Sequence, residues 1–295
     1  MSKNKKKDSP RTHKIMNHPY LALVLMPVML LLTILIIQTV LTNIIPEIFE
    51  SYHLDAVTYY VASFLCLLIY KKQWFKGEYT GNLSVRHFKK GMLLLIPTLA
   101  FIIVNLTEID YSTLTAKNVA LSFFIALAVG LMEETAFRGL SGANYMRVHP
   151  DGKKLTLFAT FSAILFGVMH MGNVTAGQAL DETLMQVFYA FGVGVLYAAV
   201  YFRTGSLLPM IVSHALVDVT SFLTPDSTEA LTLGDVIFEG GMGILMAVIG
   251  YWFIRRAKRE EIKEVWAEKW PAVSKECEAS ATPETPEVPE ELPQT

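Results

Sequence analysis

Met132-Glu133-Glu134-Thr135-Ala136-Phe137-Arg138-Gly139 closes an apolar run that begins at Val119, and it places two carboxylates and a guanidinium where a membrane helix should carry aliphatic side chains. Each such charge costs about 2.5–3.5 kcal/mol in the middle of a span. On a helix, positions four apart share a face while neighbours point about 100° apart. Glu134 therefore faces Arg138, and Glu133 is left near Phe137 without a partner of its own. An ion pair at a frayed helix end would account for these charges alone. It does not account for the ionisable residues in later apolar runs.

Outward from this stretch the chain is built for lipid. Of 295 residues, 52% are hydrophobic and 18% charged, and the charge clusters between long apolar runs. A composition of this kind excludes an ordinary soluble domain. Eight apolar runs stand out, at 21–40, 56–70, 92–106, 119–132, 155–171, 183–201, 206–223 and 236–254. Backbone that meets lipid must be helical or closed into a barrel. The expected fold is an all-α polytopic membrane bundle of about eight transmembrane helices. All of the 25 basic residues except Lys117 fall on one side of this arrangement, which puts both termini in the cytoplasm. The expected organisation is a basic cytoplasmic N-terminus over 1–18, an eight-helix membrane domain over 19–256, and a cytoplasmic tail over 257–295. The tail is rich in Pro, Glu, Thr and Ser and is expected to be disordered from about residue 270.

The first run follows a basic segment but is long enough to span and lacks a small-residue cleavage site, so it reads as a retained helix. Cys66 and Cys277 are too few for a disulfide framework or thiolate site, and the terminal Pro-Gln-Thr is not a prenylation motif. Basic residues at 71–90, interleaved with Trp74, Phe75 and Phe88, suit an anionic headgroup layer; no nucleic-acid-binding module is present. Ala190, Gly194 and Ala198, spaced four apart, would let a neighbouring helix approach closely. Gly240, Gly241 and Gly243 would do the same or merely loosen their helix.

Two of the seven histidines lie in apolar runs. His170 ends Phe161 to His170, with Phe166 one turn earlier, and His214 has Asp218 four residues on, along the same face. Ionisable residues inside a membrane are functional candidates by default. Glu133, Glu134, Arg138, His170, His214 and Asp218 are therefore the candidate catalytic set. Imidazoles and a carboxylate can hold a divalent metal with an open position for water, while a second carboxylate moves protons. His170, His214, Glu133 and Asp218 are the candidate metal ligands, with zinc the expected metal. Ser213 precedes His214 directly and points elsewhere on a helix, so a serine nucleophile served by that base is not expected. For the residues to meet, the fourth helix must continue past Arg138 towards Arg147, with the site in a water-reaching cavity in the cytoplasmic half.

Three motifs in order, Glu133-Glu134-Thr-Ala-Phe-Arg138, Phe166-Gly-Val-Met-His170 and His214-Ala-Leu-Val-Asp218, resemble the EExxxR, FxxxH and HxxxN patterns of the CPBP intramembrane metalloprotease family. This is also called the CAAX protease and bacteriocin-processing, or Abi, family, and it includes the prenyl-protein endopeptidase of the endoplasmic reticulum. Thr204 to Pro209 and His170 to Asn173 look similar too, and the resemblance spans about 118–223. It implies endoproteolysis near the membrane in an eight-helix bundle. Glu133 would activate water, His170 would hold that water or a metal with it, and Glu134 and Arg138 would form a structural pair. The third motif ends in Asp218 where the family has Asn; an ionised carboxylate would repel an oxyanion, which leaves protonation, ligation or the orienting of His214 as its role.

The expected partners are a membrane-associated peptide or protein substrate and the lipid bilayer, with no nucleic acid, in a bacterial plasma membrane. A rival reading is an immunity or resistance factor, or a membrane scaffold, of the same family that acts without proteolysis. A proton-coupled transporter would require inverted repeats and broken helices, and the sequence displays neither.

Overall fold

The computed structural model describes residues 17–45, 54–69, 83–175, 177–225 and 231–270, and each apolar run is helical there. Helix α1 spans Pro19–Ile44, opened by a proline whose missing N–H costs nothing in a first turn. Helix α2 spans Leu54–Ile69, and a third stretch is made of α3, Phe88–Leu94, and α4, Leu99–Glu108. Helix α5, Ala116–Glu134, starts where the Thr115 hydroxyl accepts from Asn118 N–H at 3.1 Å. A wide π turn, Thr135–Leu140, carries the chain without a break into α6, Ser141–Val148. Then come α7, Leu155–Met169, and α8, Leu180–Thr204, which stops at Gly205 in the left-handed region with φ 62°. Helix α9 is Leu208–Phe222, α10 is Leu233–Phe253 and α11 is Arg259–Lys269. Both Thr232 and Asp235 bond across the first turn of α10 as a capping box.

This is an all-α polytopic membrane bundle. Among the described residues, five helices are long and apolar enough to cross a bilayer by themselves, with the segment Ala116–Val148 counted as one of 33 residues. The expected continuation of the fourth helix past Arg138 is therefore present. The third run, expected as one unbroken segment, is instead a pair bent by 51°. Its cause is local, since Pro97 in the turn Ile96–Thr98 has no N–H to continue the ladder. Outward faces carry aliphatic and aromatic residues such as Leu35, Ile36, Leu68, Val248 and Trp252, as a lipid-facing surface requires.

Close helix approaches fix the bundle. A Cβ on Gly194 would stand 3.0 Å from the Cβ of Ala163, so the small-residue stripe on α8 is where α7 lies, as expected. Gly192 meets the backbone of Gly243 on α10, whereas Gly240 and Gly241 have nothing within 4 Å. On the other flank Gly130 of α5 admits α9, since a Cβ there would stand 3.3 Å from both Ile211 O and the Cβ of His214. Aromatic stacking between Tyr145 and Phe158, with centroids 4.2 Å apart, fills the opposite end.

The segment 257–269, the start of the expected cytoplasmic tail, is largely the helix α11. Ile262, Val265, Trp266 and Lys269 are buried against the bundle, and Trp266 Nε1 donates to Phe202 O at 3.0 Å. Trp270 Nε1 donates to Ala143 O at 3.2 Å. Glu261 accepts from Arg203 at 2.7 and 2.9 Å and from Lys90 at 2.6 Å. Partial burial would raise the Glu261 carboxyl, but these bonds and the two cations carry it down to about 2. A lowered pKa gives stability that is complete above the ordinary carboxylate range and lost as pH falls through about 2. Docking of α11 is thus expected to hold from neutral pH down to about 4.5 and to loosen below it. At neutral pH, Glu261→Gln should speed hydrogen exchange over 259–269 by roughly fivefold, read by mass spectrometry. Unchanged exchange would remove the clamp from the account. The expectations for the basic N-terminus before residue 17, for Trp74 and Phe75, and for disorder beyond residue 270 lie outside the described residues.

Candidate active site

The π turn follows directly on the carboxylate pair. Neighbouring hydroxyls serve its carbonyls, with Ser141 donating to Ala136 O, Ser162 of α7 to Phe137 O and Tyr201 of α8 to Gly139 O, each at 3.2 Å. A turn of this kind widens the helix by one residue and is often found at functional sites. All six of its residues are buried.

Glu134 is fully buried and holds two groups with one oxygen. Its Oε1 accepts from Arg138 Nη1 at 3.1 Å and from His214 Nδ1 at 3.0 Å. The predicted Glu134–Arg138 pair is thus real, and it also fixes His214. Arg138 is 1% exposed, donates to Gly194 O at 3.4 Å and lies over the Phe166 ring at 4.2 Å. A guanidinium so buried is held by a carboxylate, a carbonyl and a ring face together.

Glu133 points away from this pair, as helical geometry requires. Its Oε2 is buried with no hydrogen-bond partner and stands 3.6 Å from His214 Nε2. Asp218 Oδ2 approaches the same nitrogen at 3.6 Å. Contacts of this length are too long for direct hydrogen bonds, so what acts across them is charge. Because Glu134 occupies Nδ1, any second proton on the ring sits on Nε2, the edge shared by Glu133 and Asp218.

His170 caps α7, and its Nδ1 lies 2.9 Å from Phe166 O. A carbonyl can only accept, so Nδ1 carries the proton and Nε2 is the lone-pair edge. Glu133 and His170 line one cavity of about 110 Å³ with Pro27, Leu31, Met132, Ala136, Phe137, Phe166, Met169 and Asn173. That volume holds a few waters, each with a share of about 30 Å³. Among the described residues, no group of three or more His, Cys, Asp and Glu side chains is placed to hold a metal ion. The expected set of His170, His214, Glu133 and Asp218 therefore forms no ligand cluster in this geometry.

Four of the expected residues gather around a fifth, His214, with Glu133, Glu134 and Asp218 beside the ring and Arg138 bound through Glu134, and His170 joins Glu133 on the cavity wall. Sequence reasoning missed the π turn, the role of Gly130, and Tyr197, whose ring stands 5.9 Å from His214 and 5.7 Å from the Arg138 guanidinium. Only the hydroxyls of Ser162 and Tyr201 inside apolar runs hinted at the turn. Ser213 is buried and bonded to Thr98 and Tyr197, away from His214, in keeping with its exclusion as a nucleophile.

No curated protein and no solved structure matches the chain. A family model does match, described as type II CAAX prenyl endopeptidase Rce1-like, over residues 115–220. That stretch holds all three motifs, the π turn and the whole of the His214 cluster. Residues 115–220 thus match an Rce1-like domain, that of a protease family, and the polytopic chain is consistent with the CPBP family.

Proposed function

We propose that this protein is an intramembrane endopeptidase that hydrolyses a peptide bond in a membrane-associated protein or peptide. The observation that carries the reading is Glu133, which lines a cavity with His170 and whose buried, unpartnered Oε2 stands 3.6 Å from His214 Nε2. Buried oxygens without partners are rare and costly, and the residue that carries this one lines a cavity with room for water. Glu133 is the general base. His170 Nε2 accepts one hydrogen of the water, Glu133 takes the other as the water attacks the carbonyl carbon, and Glu133 returns that proton to the departing amine. His214, held through Nδ1 by Glu134, donates Nε2–H to the developing oxyanion when the ring carries its second proton. The steps use only these side chains and water, and none is routed through a metal. The charge pattern of the loops supports eight spans with both ends cytoplasmic, and the basic N-terminus with its retained first helix suits a plasma membrane.

Asp218 sits beside the edge on which the oxyanion would form, and its charge opposes that step. Its part is to orient His214. Asp218→Asn is therefore expected to keep cleavage within about tenfold of wild type, whereas a loss of 10²–10³-fold would make the carboxylate itself essential. The whole reading is tested by comparing the membrane proteomes of cells carrying the wild type and Glu133→Gln. A cleavage product that appears only with the intact glutamate supports hydrolysis. An unchanged proteome together with an unchanged phenotype favours the scaffold or immunity reading.

A further inference from the structure

Three buried hydroxyls form a line that none of the roles above uses. Thr98 Oγ1 donates to Leu95 O at 2.7 Å, at the bend between α3 and α4. Thr98 Oγ1 and Ser213 Oγ are 2.9 Å apart, and Tyr197 OH donates to Ser213 Oγ at 3.0 Å. Donor accounting gives the line a single direction. Thr98 has committed its proton to Leu95 O, so Ser213 must donate to Thr98, and Ser213 is free to accept from Tyr197. The order is Tyr197 OH to Ser213 Oγ to Thr98 Oγ1 to Leu95 O. Thr98 and Ser213 are 2% exposed and Tyr197 is 1% exposed, so water does not compete for these bonds.

What the line holds is the Tyr197 ring. That ring meets the His214 imidazole edge-on, with centroids 5.9 Å apart and planes at 64°. It also lies 5.7 Å from the Arg138 guanidinium. His214 and Arg138 are the two groups bound by Glu134 Oε1. We propose that Tyr197, fixed through Ser213 and Thr98, is a positioning residue that sets the His214 ring against Glu134 and towards Glu133. This rests on the proposed hydrolytic role of that pair. It also gives the bend at Leu95 a use, because the carbonyl at the bend is where the line ends. A ring without its tether can rock about its own axis, and the imidazole in contact with it rocks too.

Tyr197→Phe keeps the ring and removes only the tether. Ser213→Ala cuts the line one link further on, and Ser213→Thr restores a hydroxyl. The probe is full-length protein in detergent micelles, labelled with 15N-histidine, with the His214 signals assigned by their loss in His214→Gln. Tyr197→Phe and Ser213→Ala should both shift the His214 Nδ1–H resonance, and Ser213→Thr should return it towards wild type. On any substrate recovered from the Glu133 comparison, kcat should fall roughly tenfold in the first two variants with KM unchanged. A His214 resonance that stays in place in both variants, even with a lowered melting temperature, overturns the proposal, because the hydroxyls would then serve packing alone. A shifted resonance with no Glu133-dependent product would keep Tyr197 as a positioning residue and remove the protease reading instead.

Discussion

Glu133→Gln is expected to lower turnover by about 10²–10⁴-fold, the range for losing a general base, with the fold intact. The amide is close to isosteric but cannot take a proton from water. Its effect should fall on kcat, because nothing in the site gives Glu133 a share in holding substrate. The fold should not suffer, since Oε2 has no hydrogen-bond partner to lose. Three carboxylates crowd one imidazole, and among the described residues Arg138 is the only guanidinium bonded there, so removing one negative charge should leave the melting temperature equal or slightly raised. Cleavage kinetics and thermal melts in the same detergent measure both halves. Activity within tenfold of wild type would end the assignment of Glu133 as base.

Glu134→Ala should do the opposite, acting on the fold first. It leaves the Arg138 guanidinium, 1% exposed, without its carboxylate, and breaking a buried pair from one side costs about 3–5 kcal/mol. The variant is expected to accumulate poorly and to melt far below wild type. Replacing both partners with apolar residues of similar size, Glu134→Leu with Arg138→Met, should recover much of that loss, because no uncompensated charge remains. It should not recover activity, since His214 would still lack the acceptor on Nδ1. A Glu134→Ala protein as stable as wild type would show that the pair carries no structural load. Adjacent glutamates would thus separate into one needed for chemistry and one needed for the bundle.

Much of this division was legible in the sequence because helical spacing alone assigns faces. Glu134 with Arg138 and His214 with Asp218 each sit four apart, and no tertiary knowledge is needed to pair them. Alternation of apolar runs with charged loops gave the all-α bundle for a similar reason, since lipid permits few other folds. What sequence spacing could not supply was the meeting of α5 and α9. That depends on Gly130, an unremarkable glycine until a neighbouring backbone is found against it. The hydroxyl line was equally hidden, as it joins residues 98, 197 and 213 through contacts with no local period. The pattern of helix α11 is also present in the sequence. Ile262, Val265, Trp266 and Lys269 repeat at helical intervals, but the charge between them resembled a solvated tail.

The π turn has a consequence for any positional numbering of the long helix. A helical wheel drawn from Val119 to Val148 at the usual 100° per residue loses its phase at Thr135–Leu140, where the turn takes up one extra residue. Beyond Leu140 such a wheel assigns each side chain to a direction about one residue step out. Cysteine pairs for cross-linking, or spin labels for distance measurement, must therefore be placed on two separate wheels, one ending at Glu134 and one beginning at Ser141.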